Sequence, residues 1–348
     1  MSTLPAENIV KKLKAKDFAT DQDVRWCPGC GDYSILKQVQ SVLAELELNK
    51  DNTVFISGIG CSSRFPYYME TYGMHSIHGR APAVVTGLKL ANPELDVWMI
   101  TGDGDGLSIG GNHLIHALRR NLNVNMLLFN NQIYGLTKGQ YSPTSETGKT
   151  TKSTPLGSLD HPINPLALAM GADATFIARS MDRDPKHLKE MLKRSYFHKG
   201  TALLEIYQNC NIFNDGAFFT FTEKQSKPDT TLFLEHDQPL TFGAGNTKGI
   251  RLDGFKPVIV DLNEGKYTVD DLWVHDEHDP IKGQMLTRFF DDPRTSDNAL
   301  PRPFGVLFST ERPCYDDLVF EQLDQAVEQM GAGDLDAMIA GNTTWEIE

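Results

Sequence analysis

The chain has 348 residues, 40% of them hydrophobic and 23% charged, with a formal net charge of −13. That is enough chain to bury a substantial core, as one large domain or two moderate ones. The acidic balance excludes general affinity for nucleic acid or anionic membrane, and no apolar run approaches the roughly 20 residues of a membrane span.

The opening MSTLPAENIVKKLKAKDF lacks the apolar core and cleavage site of a signal peptide, so the expected compartment is the cytoplasm. Residues 1–25 are charged and weakly patterned, an N-terminal arm expected to lie over a surface or a partner. RWCPGCGD (25–32) then places Cys27 and Cys30 at CxxC spacing. Five cysteines, an odd number in a reducing compartment, argue against a disulfide framework and for metal ligation by this pair.

From here the pattern becomes regular. SILKQVQSVLAELEL (34–48) predicts a helix, TVFIS (53–57) a buried strand, and APAVVTGLKLAN (81–92) a helix opening near Pro82. VWMIT (97–101) predicts a strand, GGNHLIHALRRN (110–121) a helix, VNMLLFN (124–130) a strand, DPKHLKEMLKRSYF (184–197) a helix and ALLEIY (202–207) a strand. This alternation predicts a doubly wound, mostly parallel α/β sheet, with ligands at the carboxyl ends of its strands. Residues 135–165 are too polar for core, and a loop of that length is functional or disordered. After about residue 212 the alternation fades; only KPVIVDL (256–262) predicts a strand and DDLVFEQLDQAVEQM (316–330) a helix.

The chemistry concentrates in TGDGDGLSIGGNH (101–113) and NMLLFNNQIYGLTKGQ (125–140). In the first, a strand runs through Gly-Asp-Gly into a helix, so backbone N–H groups and a carboxylate converge at a junction suited to a diphosphate. In the second, a strand ends in Asn130-Asn131, and Asn131 lies 28 positions beyond Asp103 on the same sheet edge. Carboxylate and amide oxygens together suit Mg²⁺. The glycine run is neither a dinucleotide fingerprint nor a P-loop. Cys61 follows strand 53–57 and Cys210 follows strand 202–207, so three segments aim thiols at that edge. Four converging cysteines suit tetrahedral Zn²⁺ or a cubane iron–sulfur cluster, and spacing does not choose between them.

The GDG and NN pair resembles the thiamine diphosphate (ThDP) signature, which implies Mg²⁺ ligation by the side chains of Asp103 and Asn131 and the carbonyl of Ile133. CPGCGD, GIGCSSR, HGRAPAVVTG, GDGDGLSIGGNH and NNQIYGLTKGQYSPTS, in this order over about residues 20–225, resemble the β subunit of 2-oxoacid:ferredoxin oxidoreductases, most of all those acting on 2-oxoglutarate. The resemblance implies a ThDP-binding fold of the diphosphate-domain type over residues 26–225 and an irregular extension over 226–348 that covers the cluster or grips a partner. It implies a [4Fe–4S] cluster on Cys27, Cys30, Cys61 and Cys210, with Cys314 outside the set. Gly60, Gly102, Asp103, Gly104, Asp105, Asn131, Ile133 and Gly135 are the expected cofactor-binding positions.

The implied reaction is oxidative decarboxylation of 2-oxoglutarate with coenzyme A to succinyl-CoA and CO₂, electrons leaving through the cluster to ferredoxin, reversible as CO₂ fixation. Only one ThDP half is recognisable, so an α subunit with the pyrimidine-binding domain is expected, in an α₂β₂ assembly. Arg64 and Lys138 follow site motifs and suit the second carboxylate of 2-oxoglutarate; pyruvate or another 2-oxoacid is the alternative. His78 and Arg80 are expected near the cofactor, His78 with a direct role. His113 is as well explained structurally, and HDEHDP (275–280) as a solvated loop. A non-catalytic scaffold stapled by zinc is the alternative of another class.

Overall fold

The computed structural model describes residues 12–296, 298–343 and 345; the first eleven residues of the expected N-terminal arm lie outside them. The strands are β1 (Thr53–Ser57), β2 (Tyr72–His75), β3 (Asp96–Gly102), β4 (Val124–Asn130), β5 (Phe176–Met181), β6 (Thr201–Tyr207), β7 (Thr231–Phe233), β8 (Thr241–Phe242), β9 (Lys248–Asp253), β10 (Lys256–Asp261) and β11 (Arg302–Ser309). Eight of them form one sheet in the order β2-β1-β3-β4-β6-β5-β11-β7, and β10-β9-β8 form a small antiparallel sheet. From β2 to β5 every pairing is parallel, and only β11 runs antiparallel to its neighbour β5. The expected doubly wound sheet is therefore present.

The helices beside it are α1 (Asp32–Glu45), α2 (Ala81–Ala91), α3 (Gly111–Arg120), α4 (Pro165–Gly171) and α5 (Pro185–Phe197). Strand side chains alternate between two cores because successive residues point to opposite faces. Val54, Ile56, Val97, Met99, Met126 and Leu128 pack with Val85, Leu114, Leu118 and Leu166 of α2, α3 and α4. Phe55, Trp98, Ile100, Leu127 and Phe129 pack with Ile35, Val39, Leu188 and Leu192 of α1 and α5. Both faces are covered, which explains why the central strands read as unbroken apolar runs.

Three differences from expectation have physical causes. β2 is a short edge strand whose first three residues are exposed, so it carries no apolar signal. β5 is fully buried but contains Arg179, which is neutralised by Glu205 of β6. The sheet also crosses the expected boundary at 225/226, since β7 and β11 belong to it and the rest of the tail holds the small sheet and the helix Tyr315–Met330. HDEHDP is not simply a solvated loop. His275 is fully buried, with Nε2 bonded to Val306 O at 2.8 Å, and Glu277 is buried against Arg194.

The chain order reverses between β1 and β3. Their carboxyl ends open a crevice, the place where such sheets hold ligands.

Candidate functional site

A cavity of about 630 Å³ fills this crevice, lined by Ile59 and Gly60 after β1, Gly102 to Asp105 after β3, and Asn131, Ile133 and Gly135 after β4. Asp103 is 2% exposed. Its Oδ2 accepts from Ser142 Oγ at 2.5 Å and Thr144 Oγ1 at 2.6 Å. Burial raises its pKa while the two hydroxyls oppose the shift. Thr144 Oγ1 also lies 2.9 Å from Asn130 Oδ1, which already receives the Gln132 N–H at 3.3 Å. A hydroxyl has one proton, and the charged acceptor takes it. Both hydroxyls hold the same oxygen of Asp103, which leaves Oδ1 for a cation.

The two asparagines divide their tasks. Asn130 turns away, donating Nδ2 to Glu205 Oε1 at 2.8 Å, whereas Asn131 lines the cavity. Asp105 lines the cavity too, but its oxygens are committed to the chain. Oδ1 accepts from Ile59 N, Gly79 N and His78 Nδ1, and Oδ2 from Thr101 Oγ1, all within 2.9 Å. Asp105 thus ties three loops together, and its bond to Nδ1 leaves Nε2 of the cavity-lining His78 free. Gly104 has no room for a side chain, because an added Cβ would sit 2.2 Å from the Tyr134 ring. The junction itself is a π-helical turn over Asp105–Ile109, a device common at functional sites.

A second cavity of about 200 Å³ shares Cys61, Asn131, Gly135 and Leu136 with the first and is lined by Cys27, Cys30 and Cys210 as well. Contacts on and beside the CPGC loop hold it: Asn211 Nδ2 donates to Pro28 O at 2.7 Å, Gly31 N to Asn209 O at 3.1 Å, and Trp26 Nε1 to Cys61 O at 2.7 Å. A Cβ on Gly135 would lie 3.5 Å from the sulfurs of both Cys61 and Cys210. Burial pushes the Cys61 thiol up to about 12 and raises Cys30 further, with the neighbouring Asp32 and thiols adding to the effect. Four thiols around one small cavity fit a cationic metal centre, which would stabilise them as thiolates.

Arg64 and Lys138 line the thiol cavity rather than the larger one, together with Arg25, which motif reasoning missed. Arg80 donates to the carbonyls of His78, Gly79 and Ile109 and does not line either cavity. His113 sits in α3 away from both. Cys314 is buried at the start of helix Tyr315–Met330 and lines a different cavity. Ser142 and Thr144 were not singled out either, although they close the NNQIYGLTKGQYSPTS segment and belong to a polar loop too long to be idle. Gln208, buried between Asn131 and Cys30, gave no signal.

A doubly wound sheet with a buried carboxylate and a strand-end amide around one crevice defines a ThDP-binding half, and residues 58–206 match the family described as thiamine pyrophosphate enzyme, C-terminal TPP binding domain. The chain is 51% identical over 339 residues to the 2-oxoglutarate oxidoreductase subunit KorB of Mycobacterium tuberculosis, covering 96% of this chain and 89% of that one. It is 50% identical over 190 residues to 2-oxoacid:ferredoxin oxidoreductase 1, subunit beta, of Aeropyrum pernix, covering 55% of this chain and 60% of the relative. The solved 2-oxoglutarate:ferredoxin oxidoreductase from Magnetococcus marinus, with 2-oxoglutarate, coenzyme A and succinyl-CoA bound, superposes with a TM-score of 0.73 at 33% identity, covering 97% of this chain and 99% of that one. The chain belongs to the β subunits of the 2-oxoacid:ferredoxin oxidoreductases, and its relatives include the corresponding subunits of 2-oxoglutarate oxidoreductases.

Proposed function

We infer that the chain is the β subunit of a 2-oxoglutarate:ferredoxin oxidoreductase, which converts 2-oxoglutarate and coenzyme A to succinyl-CoA and CO₂ and passes two electrons to ferredoxin. The observation that carries the mechanism is the shared wall: Asn131 and Gly135 line both the ThDP-type crevice and the four-thiol cavity. When bound, ThDP supplies the carbanion chemistry of decarboxylation and a [4Fe–4S] cluster supplies single-electron acceptance.

The chain's own residues prepare that chemistry. Asp103, Asn131 and the Ile133 carbonyl would hold Mg²⁺, and Cys27, Cys30, Cys61 and Cys210 would hold the cluster. Gly102 and Gly104 would let the backbone come close to the diphosphate, Gly60 lines the crevice, and Gly135 keeps the space beside the thiols free of side chains. His78, oriented by Asp105, offers Nε2 to a proton in the cavity. Arg64 and Lys138 supply the cations that favour a dicarboxylate over pyruvate. Lys138→Ala is expected to abolish 2-oxoglutarate turnover while pyruvate turnover is kept; unchanged discrimination would remove Lys138 from the substrate site.

β-subunit membership implies an α subunit. We assign to it the pyrimidine-binding domain and an α₂β₂ assembly. Exposed Tyr72 and Met74 on edge strand β2, with Ile77 and Ile109 next to the cavity mouth, support docking there. No described helix is long and apolar enough to cross a membrane, and the cytoplasm is the compartment we assign.

The test is iron, acid-labile sulfide and zinc content with a visible spectrum, on the anaerobically purified α–β complex. About four irons and four sulfides per chain, with absorption that bleaches on adding 2-oxoglutarate and coenzyme A, is the expected result. Zinc without sulfide would make CPGC a structural clip and sink the electron-transfer reading.

A further inference from the structure

Gln208, the residue after β6, is 1% exposed. Its Oε1 accepts from Asn131 Nδ2 at 2.8 Å, and its Nε2 donates to Asn209 O at 2.7 Å and to Cys30 Sγ at 3.2 Å. One buried amide therefore touches a residue of the crevice and a residue of the thiol cavity.

The orientation is forced. A backbone carbonyl only accepts, so the amide nitrogen faces Asn209 and Oε1 faces Asn131. Asn131 must then present its own nitrogen to Gln208. Its Oδ1 turns the other way, where the Ile133 N–H meets it at 3.2 Å. The backbone of Gln208 is fixed as well, its N–H donating to Asn130 O at 2.9 Å.

We propose that Gln208 is a positioning residue shared by both cofactor sites: it directs the Asn131 oxygen to the cation, and its N–H bond to the Cys30 sulfur raises the reduction potential of the cluster. This rests on the assignment of Asn131 and Cys30 as ligands. The reduced cluster carries one more negative charge than the oxidised one, so a donor at a ligating sulfur stabilises the reduced form. Residues that orient metal ligands change metal affinity roughly 10- to 100-fold when removed. A single side chain thus sets both how firmly the diphosphate's cation is held and how readily the neighbouring centre accepts an electron.

Two variants of the anaerobic α–β complex separate the two effects. Gln208→Met keeps the shape and loses every polar contact. Gln208→Glu keeps an acceptor for Asn131 Nδ2 and loses the N–H to sulfur. The midpoint potential is read by EPR-monitored redox titration, and the Mg²⁺ dependence of ThDP binding by calorimetry on cofactor-depleted complex. Gln208→Met is expected to lower the potential and to raise the Mg²⁺ requirement about ten-fold or more. Gln208→Glu is expected to lower the potential with the Mg²⁺ requirement near that of the wild type. An unchanged potential in both variants at full iron content, or an unchanged Mg²⁺ requirement in Gln208→Met, overturns the proposal. Should Gln208→Met not assemble, the potential of Gln208→Glu decides alone. A wild-type complex without iron and sulfide, or without Mg²⁺-dependent ThDP binding, overturns the proposed function together with this inference, an outcome distinct from altered variants in a working complex.

Discussion

Asp103, the proposed Mg²⁺ ligand, shows how much of such a site lies behind the residue itself. Two hydroxyls from SPTS (142–145) grip one oxygen of a buried carboxylate, so the residue is aimed before any cation arrives. Thr144→Val keeps the shape and deletes one of those donors. We expect it to raise the Mg²⁺ concentration needed for ThDP binding about ten-fold, with Thr144→Ser restoring the wild-type value. Calorimetric titration on cofactor-depleted protein checks this, and an unchanged Mg²⁺ requirement would assign the hydroxyl to loop packing alone. The motif residues themselves were visible in the sequence because their chemistry is tied to fixed spacing: CxxC announces itself, and Gly-Asp-Gly and Asn-Asn each follow an apolar strand. Gln208, Ser142 and Thr144 have no such spacing; their role comes from side chains that meet only after the strands pair.

At the scale of elements, β5 carries the main lesson. A strand in the middle of a buried sheet should be apolar, yet Arg179 and Glu205 sit side by side on β5 and β6, with exposures of 1% and 0%. Arg179 Nε donates to Glu205 Oε2 at 2.7 Å and its NH1 to Pro303 O on β11 at 3.1 Å, while Glu205 Oε1 receives Asn130. The pair therefore knits four strands, β4, β6, β5 and β11, together behind the crevice, and its polarity is what hid β5 from periodicity. Arg179→Met would leave a buried carboxylate without its partner, and we expect a loss of about 3–5 kcal/mol in urea unfolding. A loss below about 1 kcal/mol, the range of exposed ion pairs, would mean that Glu205 is satisfied by other groups.

For the whole molecule, the sequence laid out the doubly wound half well, because helices and strands there alternate with clear signals. It described the tail poorly. RPFGVLFS joins the sheet as β11, but with no βα unit before it, nothing local says which neighbour it will pair with. Histidine burial in the doubly wound half bears on acid stability. His198, whose Nε2 bonds Thr175 Oγ1 at 2.9 Å, is held by burial at about 4, below its ordinary 6.5. His187 is lowered to about 4 as well, again chiefly by burial. An unfolded chain takes up these protons below 6.5 and the folded one does not, so their contribution is full above 6.5 and is lost as pH falls towards 4. The thermal midpoint is expected to drop across that window, and less steeply in His198→Gln. A slope identical to the wild type would show that other groups dominate acid unfolding.

The position of β11 also sets an order of events during synthesis. Cys210 precedes Arg302 by 92 positions. All four thiols of the cavity have therefore left the ribosome well before the strand that contributes the Pro303 carbonyl behind Arg179. On the proposed ligand set, a nascent chain would have its four cysteines in hand while the far side of its sheet is still open, and iron and sulfide could be delivered to a half-built wall. A ribosome stalled between those two points would hold a thiol-rich, partly closed sheet, the form of this protein most exposed to oxygen and to the wrong metal.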